Sequence, residues 1–509
     1  MIERKRVLPA DLNPGNRFPA SDRGFIVLVC ALAALRIVVF SAAFPFFNNV
    51  DEFPHVDTVV KYARGFLPRA DNNRFDEESV RLIALYGTNE YYRKAGQPVR
   101  MPSWKGPEDS LRAAIQAATQ YWSGRKNYEA RAQPFLYYGI AGLWYNTGKL
   151  VGIHGAALLY GIRFLNPVVY VLFILLAHWF CKRFYTDKPA LRLGVPLFLA
   201  CFPQDLFYSV TNDTFSCLFS FLSFCLLMDL YSRDRKIGFY ALTGLTLGAT
   251  VMVKYINVPV FFLAALVLSV KLLETRKTGT TSNHVKGCLV LAVLALLPVF
   301  LWMGRNTLLP GAAGAQLASV PADKLPFKPF SQLWNHPLFT PKGFVVFSFE
   351  LLKTFWRGEF NWHLQRLKWG WMDRFYVLSS FVFLCGAFVQ LLNRGGSRRM
   401  RWIHLLNFVV FLSYVFMLAF MSILFQFGDH WIPSRFYPYF TFGRYITGAL
   451  FSFAVLYVSG LEWILAKIHR RINVLAVIGL IGLAVFISEI WMSLNVFQSP
   501  YNFFHVLMK

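Results

Sequence analysis

Eleven runs of apolar residues recur along the chain, at about 24–45, 156–181, 190–207, 214–231, 238–254, 256–272, 287–304, 374–393, 403–426, 445–465 and 474–494. Crossing ~30 Å of hydrocarbon as a helix takes about 20 such residues. A chain that repeats this pattern must satisfy its backbone polar groups internally, and in lipid only helices or closed barrels do that. The pattern therefore predicts an all-α polytopic membrane protein with about eleven transmembrane helices. Composition agrees: 56% of the 509 residues are hydrophobic and 16% are charged, against roughly 45–50% and about 25% in soluble domains. A soluble enzyme, a disordered chain and a fibrous repeat are excluded.

The net charge of +25 would suggest nucleic acid in a soluble domain. Here the basic residues sit in short loops, and no nucleic-acid partner is expected. Segments 1–23, 182–192, 233–236, 271–286, 394–401 and 467–471 hold 23 Lys and Arg between them, whereas the opposite short loops hold only Arg435 and Arg444. The positive-inside rule then predicts a cytoplasmic N-terminus (1–23), followed by one transmembrane domain over 24–509 in the inner (plasma) membrane. Two long segments, 46–155 and 305–373, fall on the extracytoplasmic side. Leu111, Ile115 and Ala118 repeat at helical spacing, so the first long loop is expected to carry helices on the bilayer surface. The seven Cys lie in or beside apolar runs and form neither a disulfide framework nor a metal motif.

Chemistry-bearing residues gather at the predicted outer ends of the spans. After the first span come Asp51, Glu52, His55 and Asp57. A carboxylate beside hydrocarbon is desolvated and becomes a stronger proton acceptor; a helix-capping acidic turn would explain the same residues. Asp205 and Asp213 follow at the next outward turn, where Asp213 could equally cap a span. Lys254 interrupts a long apolar stretch against the charge trend; a half-buried lysine needs an anion, or snorkels to the headgroups. Arg444 opens the penultimate span and Arg163 lies within the second; a guanidinium fork suits phosphate. Trp356 and Glu359 stand in an aromatic segment before the eighth span. Neither Lys254 nor Arg444 has an acid close in sequence. No Walker loop, GxGxxG, HExxH or GxSxG is present, so any group transferred must arrive activated. There is no evident metal cage, although Asp51, Glu52 and Asp213 could together hold a divalent ion.

In order along the chain, the Asp51-Glu52-x-x-His55 element with Tyr62, Ala63, Gly65 and Pro68, the Gln133-Pro134-x-x-Tyr137-Tyr138 element, Pro203, Ser209, Asn212 and Asp213, Lys254-Tyr255, Phe355-Trp356 and Gly443-Arg444-Tyr445 resemble the C-type glycosyltransferase (GT-C) superfamily of membrane enzymes. The resemblance implies a GT-C-like fold and a sugar taken from a polyprenyl-phosphate carrier. The sugar would pass to a hydroxyl of an extracytoplasmic glycan, lipid or protein acceptor, with inversion. On that basis Asp51 is expected as general base with Glu52 as alternate. His55, Asp57, Asp213, Trp356 and Glu359 would support the site or bind acceptor. Lys254, Arg444 and Arg163 would bind the lipid phosphate. The competing expectation is a transporter or flippase for an anionic lipid or glycan, which would also need acids and bases in the membrane.

Overall fold

The computed structural model describes residues 20–48, 51–66, 73–88, 90, 97, 102–127, 133–276, 281–308, 326–393, 398–429, 433–469 and 471–507. Asn49, Val50, Pro68, most of the predicted cytoplasmic N-terminus and 309–325 of the second long loop lie outside them. The described chain is helical apart from one two-stranded hairpin, β1 (Asn361–Trp362) and β2 (Gln365–Arg366). Among the described residues, nine helical stretches are long and apolar enough to cross a membrane. They fall where nine of the eleven apolar runs were expected. The other two runs are shorter apolar helices, Pro189–Ala200 and Ile237–Val253.

In chain order, α1 is Ala20–Ala43, α2 Glu52–Ala63, α3 Glu77–Tyr86, α4 Glu108–Trp122, α5 Leu136–Leu150, α6 Gly155–Arg163 and α7 Leu165–Phe184. Then follow α8 Pro189–Ala200, α9 Asp213–Ser232, α10 Ile237–Val253, α11 Pro259–Arg276 and α12 Thr281–Leu308. The last six are α13 Pro341–Arg357, α14 Gly370–Leu392, α15 Arg398–Leu424, α16 Leu450–Ile468, α17 Val474–Phe497 and the short α18 Phe503–Leu507. Only Phe164 separates α6 from α7, and the two together make one long candidate span. The most enclosed spans are α9 and the stretch Gly443–Ile468 that ends in α16. Small polar residues let α9 sit at the centre: Ser220 Oγ lies 2.9 Å from Tyr414 Oη and Ser223 Oγ 2.8 Å from Thr250 Oγ1. Such interhelical bonds stand in for the hydrophobic drive that lipid does not supply.

The first long loop folds against this bundle. Asn127 N donates to Asn73 O at 2.7 Å, closing a subunit that contains α3 and α4. Asp76 caps α3 through Glu78 N at 3.0 Å. Glu78 in turn accepts from Tyr145 Oη and Lys149 Nζ of α5, both at 2.7 Å. Asn146 Nδ2 bonds Ala63 O at 2.6 Å, fixing α5 on α2. The exposed α4 has no fully buried residue.

One ionisable pair lies deep between spans. Arg36 of α1 meets Glu489 of α17 at 3.2 Å and donates to Phe202 O at 2.6 Å; Tyr208 also bonds Glu489. Charges at membrane depth are costly unless paired in this way. The pair escapes sequence inspection because 453 residues separate its members.

Candidate active site

One end of the bundle collects the turns between successive spans, and there the separated motifs meet. Asp51 sits at the N-cap of α2 with φ 68° and ψ 4°. A non-glycine residue in the left-handed region carries about 1–2 kcal/mol of strain, although Asp tolerates it better than most. That turn sends Asp51 and Glu52, neighbours in sequence, into different surroundings.

Asp51 faces the bundle end, where its Oδ2 accepts from Arg444 Nη2 at 2.9 Å. Arg444 Nε lies 4.0 Å from Glu359 Oε2. Lys254, in the bend between α10 and the 3-10 turn Tyr255–Asn257, pairs with Asp213 Oδ1 at 2.5 Å. The two ion pairs share one aromatic ring: Lys254 Nζ is 4.7 Å and the Arg444 guanidinium carbon 5.2 Å from the centroid of Tyr445. Neither cation has an acid close in sequence, but separate turns supply one to each. Asp51 keeps 37% of its side chain exposed, against 1% for Asp213 and 13% for Glu359, so it is the most accessible of these three acids.

His55, one turn along α2 from Asp51, is held by Tyr138 Oη at 2.6 Å from its Nδ1. Burial pushes its pKa down to about 4 despite the nearby Asp51. It is neutral at neutral pH and acts there as a hydrogen-bonding group. Burial raises the Asp51 carboxyl, but the Arg444 guanidinium beside it prevails and holds it below the usual carboxylate range. Burial pushes Glu359 up to about 7 against the pull of Arg444.

The turn that carries Glu359 is built by Asp205, to which the resemblance assigns no role. Asp205 Oδ2 accepts from Glu359 N at 2.5 Å and Phe360 N at 2.7 Å. Gly358 makes this approach possible: its φ is +81°, and a Cβ there would lie 1.9 Å from Asp205 Cγ. Gln204 Nε2 adds bonds to the carbonyls of Thr354 and Phe355, at 3.0 and 2.7 Å. Asp205 stands out in the sequence, with Asp213, as an acid in an otherwise apolar stretch, but no spacing rule links it to Glu359. Tyr445 was visible only as part of a motif.

Arg444 is seated by a second close contact. Gly443 N donates to Thr354 Oγ1 at 3.0 Å, and a Cβ on Gly443 would lie 2.0 Å from Phe355 N. Overpacking of this kind costs about 1–3 kcal/mol. Gly443→Ala is expected to lower the thermal unfolding midpoint in detergent and to reduce activity. An unchanged midpoint would show that this contact gives way freely.

Four of the expected site residues stand elsewhere. Glu52 is fully enclosed and accepts Arg163 Nε at 2.8 Å and Nη2 at 2.7 Å, together with Phe47 N at 2.9 Å and Val210 N at 3.1 Å. Arg163 spends its remaining donors on the carbonyls of Ser41, Phe44 and Pro45. The structure thus places Glu52 and Arg163, expected as alternate base and phosphate ligand, in an enclosed pair held by each other and by neighbouring backbone, apart from the Lys254 and Arg444 cluster. Asp57 bonds Lys61, Asn127 Nδ2 at 2.7 Å and Asp76 N at 2.7 Å, which makes it the anchor of the first loop. Trp356 stacks on Tyr376 at 4.8 Å and donates to Ser380 Oγ at 2.8 Å, buried among spans. With Glu52 turned onto Arg163, the trio Asp51, Glu52 and Asp213 is not assembled. Among the described residues no three His, Cys, Asp or Glu are grouped to hold a metal ion.

Residues 35–447 match the family model described as "Predicted membrane protein (DUF2142)". The chain belongs to the DUF2142 family. The match begins inside α1 and runs through Arg444, so it takes in the whole of the site from Asp51 onward. Among solved structures, the chain is similar to ArnT from Cupriavidus metallidurans, a crystal structure with undecaprenyl phosphate bound. Identity is 11%, the alignment covers 95% of this chain and 75% of that one, and the TM-score is 0.44. No curated protein matches this DUF2142 member.

Proposed function

We propose that this DUF2142 protein is a GT-C-type membrane glycosyltransferase that moves a sugar from a polyprenyl-phosphate carrier to a hydroxyl of an extracytoplasmic glycan, lipid or protein. The observation that carries the proposal is the convergence of Lys254 and Arg444 on Tyr445, beside the accessible Asp51, at one end of the bundle. Two cations at one membrane edge suit a phosphate monoester dianion, and a reachable carboxylate within the same cluster suits an acceptor proton. The motif resemblance supports the same chemistry, and the loop charges support an extracytoplasmic site in the inner membrane.

Asp51 takes the proton of the acceptor hydroxyl as its oxygen attacks the anomeric carbon. The bond from that carbon to the phosphate oxygen breaks, and its electron pair stays on the leaving polyprenyl phosphate. One direct displacement inverts the anomeric centre. Lys254 and Arg444 neutralise the charge that grows on the leaving group, which fixed charges in a dry site do efficiently. His55 orients the α2 turn, and Glu359 stands on the other side of the site beside Arg444. A flippase would be expected to present ionisable groups near the midplane. The ionisable pair found at depth, Arg36 with Glu489, is sealed between helices.

Arg444→Ala is expected to cost about 2–4 kcal/mol of transition-state stabilisation, by analogy with loss of one oxyanion donor. Lys254→Ala should cost somewhat less, because ammonium is a point charge on a flexible stem. Purified protein, a polyprenyl-phosphate sugar and membrane extract as acceptor source provide the assay. Wild-type kcat/KM for the donor in both variants would remove the phosphate from this site.

A further inference from the structure

Both site cations already have anionic partners, and the partnerships are incomplete. Lys254 holds one oxygen of Asp213, whose other oxygen, Oδ2, is buried without a hydrogen-bond partner. Arg444 holds one oxygen of Asp51 through Nη2, while its Nε is buried with no hydrogen bond. Glu359 Oε1, on the far side of Arg444, is likewise buried and unbonded. A guanidinium satisfied by a carboxylate fork would use two parallel donors; Arg444 uses one.

A phosphate monoester offers two charges and three acceptor oxygens. It could bond both cations across the Tyr445 ring, whereas each aspartate is ion-paired with one of them. It could not simply join the present set, because it would then crowd against Asp51, Asp213 and Glu359, and like charges brought together in a partly dry site repel strongly. Asp51 is moreover a weak proton acceptor for as long as Arg444 neutralises it.

We infer that Asp51 and Asp213 are place-holders on the cations, and that the carrier phosphate displaces them, so that seating the donor is what releases Asp51 to receive the acceptor proton. This rests on the donor assignment proposed above and adds an order of events: phosphate first, then a competent base. A purely positioning role for the two aspartates predicts the opposite response to their removal. An acid that holds Arg444 in place helps phosphate to bind, whereas an acid that competes for Arg444 hinders it.

The test is equilibrium binding of undecaprenyl phosphate to the full-length protein in nanodiscs. Undecaprenol and inorganic phosphate serve as controls. The wild type should bind the lipid phosphate saturably, and Arg444→Ala should bind it more weakly. Asp51→Asn should bind it roughly tenfold more tightly than wild type, the order expected when one competing unit charge leaves a partly buried cation. Asp213→Asn should shift in the same direction. Because Asp51 is partly exposed and Asn keeps its shape, the Asp51 variant still reports if the buried Asp213 variant fails to fold. Equal or weaker binding by Asp51→Asn, with Arg444→Ala still impaired, would overturn the exchange and leave the proposed function standing. Indifference of binding to Arg444→Ala, or equally tight binding of inorganic phosphate, would overturn the carrier assignment and the exchange with it.

Discussion

Asp51→Asn should abolish most of the transfer, by about 10²–10⁴-fold in kcat, the range expected for loss of a general base. The folded protein should change little. Asn is as tolerant as Asp of the left-handed backbone at φ 68°, and the lost ion pair with Arg444 has one partly exposed partner. The thermal unfolding midpoint in detergent should therefore stay close to that of wild type. A single-turnover assay with saturating donor isolates the chemical step from carrier binding, which the same substitution is expected to strengthen. Turnover above a tenth of wild type under those conditions would show that another group takes the proton, and Glu359, pushed up to about 7, would be the next to examine.

Arg163→Ala should have the reverse profile, with the fold lost ahead of any specific defect in chemistry. The substitution would leave Glu52 buried with two backbone donors, and would strip partners from the carbonyls of Ser41, Phe44 and Pro45. Removing one member of a buried pair typically costs about 3–5 kcal/mol. Glu52→Gln should be damaging for the same reason, since it leaves a guanidinium enclosed without its counter-charge. Protease resistance and melting of the purified variants are the measurements. A well-folded but inactive Glu52→Gln protein would return Glu52 to the catalytic set.

The fold was largely legible because a membrane span has to be long and apolar, and that shows in one dimension. The third run is longer in sequence than in structure: 190–207 reads as one stretch, but α8 stops at Ala200. Pro203 and the turn Asp205–Tyr208 cannot continue it. The site was legible as a set of chemical types at one membrane edge. What could not be read was their pairing. Asp51 and Glu52 look interchangeable in sequence and differ only because of one left-handed residue between the spans. Arg163 and Arg444 both suggest phosphate, yet Arg163 meets no solvent at all. Trp356 suggests a sugar platform because of its setting, but it faces Tyr376 inside the bundle. Such choices depend on contacts between turns hundreds of residues apart.

The deep pair of Arg36 and Glu489 bears on how the protein is made. Its arginine enters the bilayer with the first described span and its glutamate with the last, 453 residues later. An unpaired arginine within a membrane helix is costly, reaching about 2.5–3.5 kcal/mol at the helix centre on insertion scales. During synthesis α1 therefore waits in the membrane carrying a charge whose partner does not yet exist. In the finished molecule the same residue binds Phe202 O and, through Glu489, Tyr208, the two ends of the segment that bears Asp205. Pairing of Arg36 with Glu489 of α17, the last of the described spans, thus completes the support beneath the segment that carries Asp205.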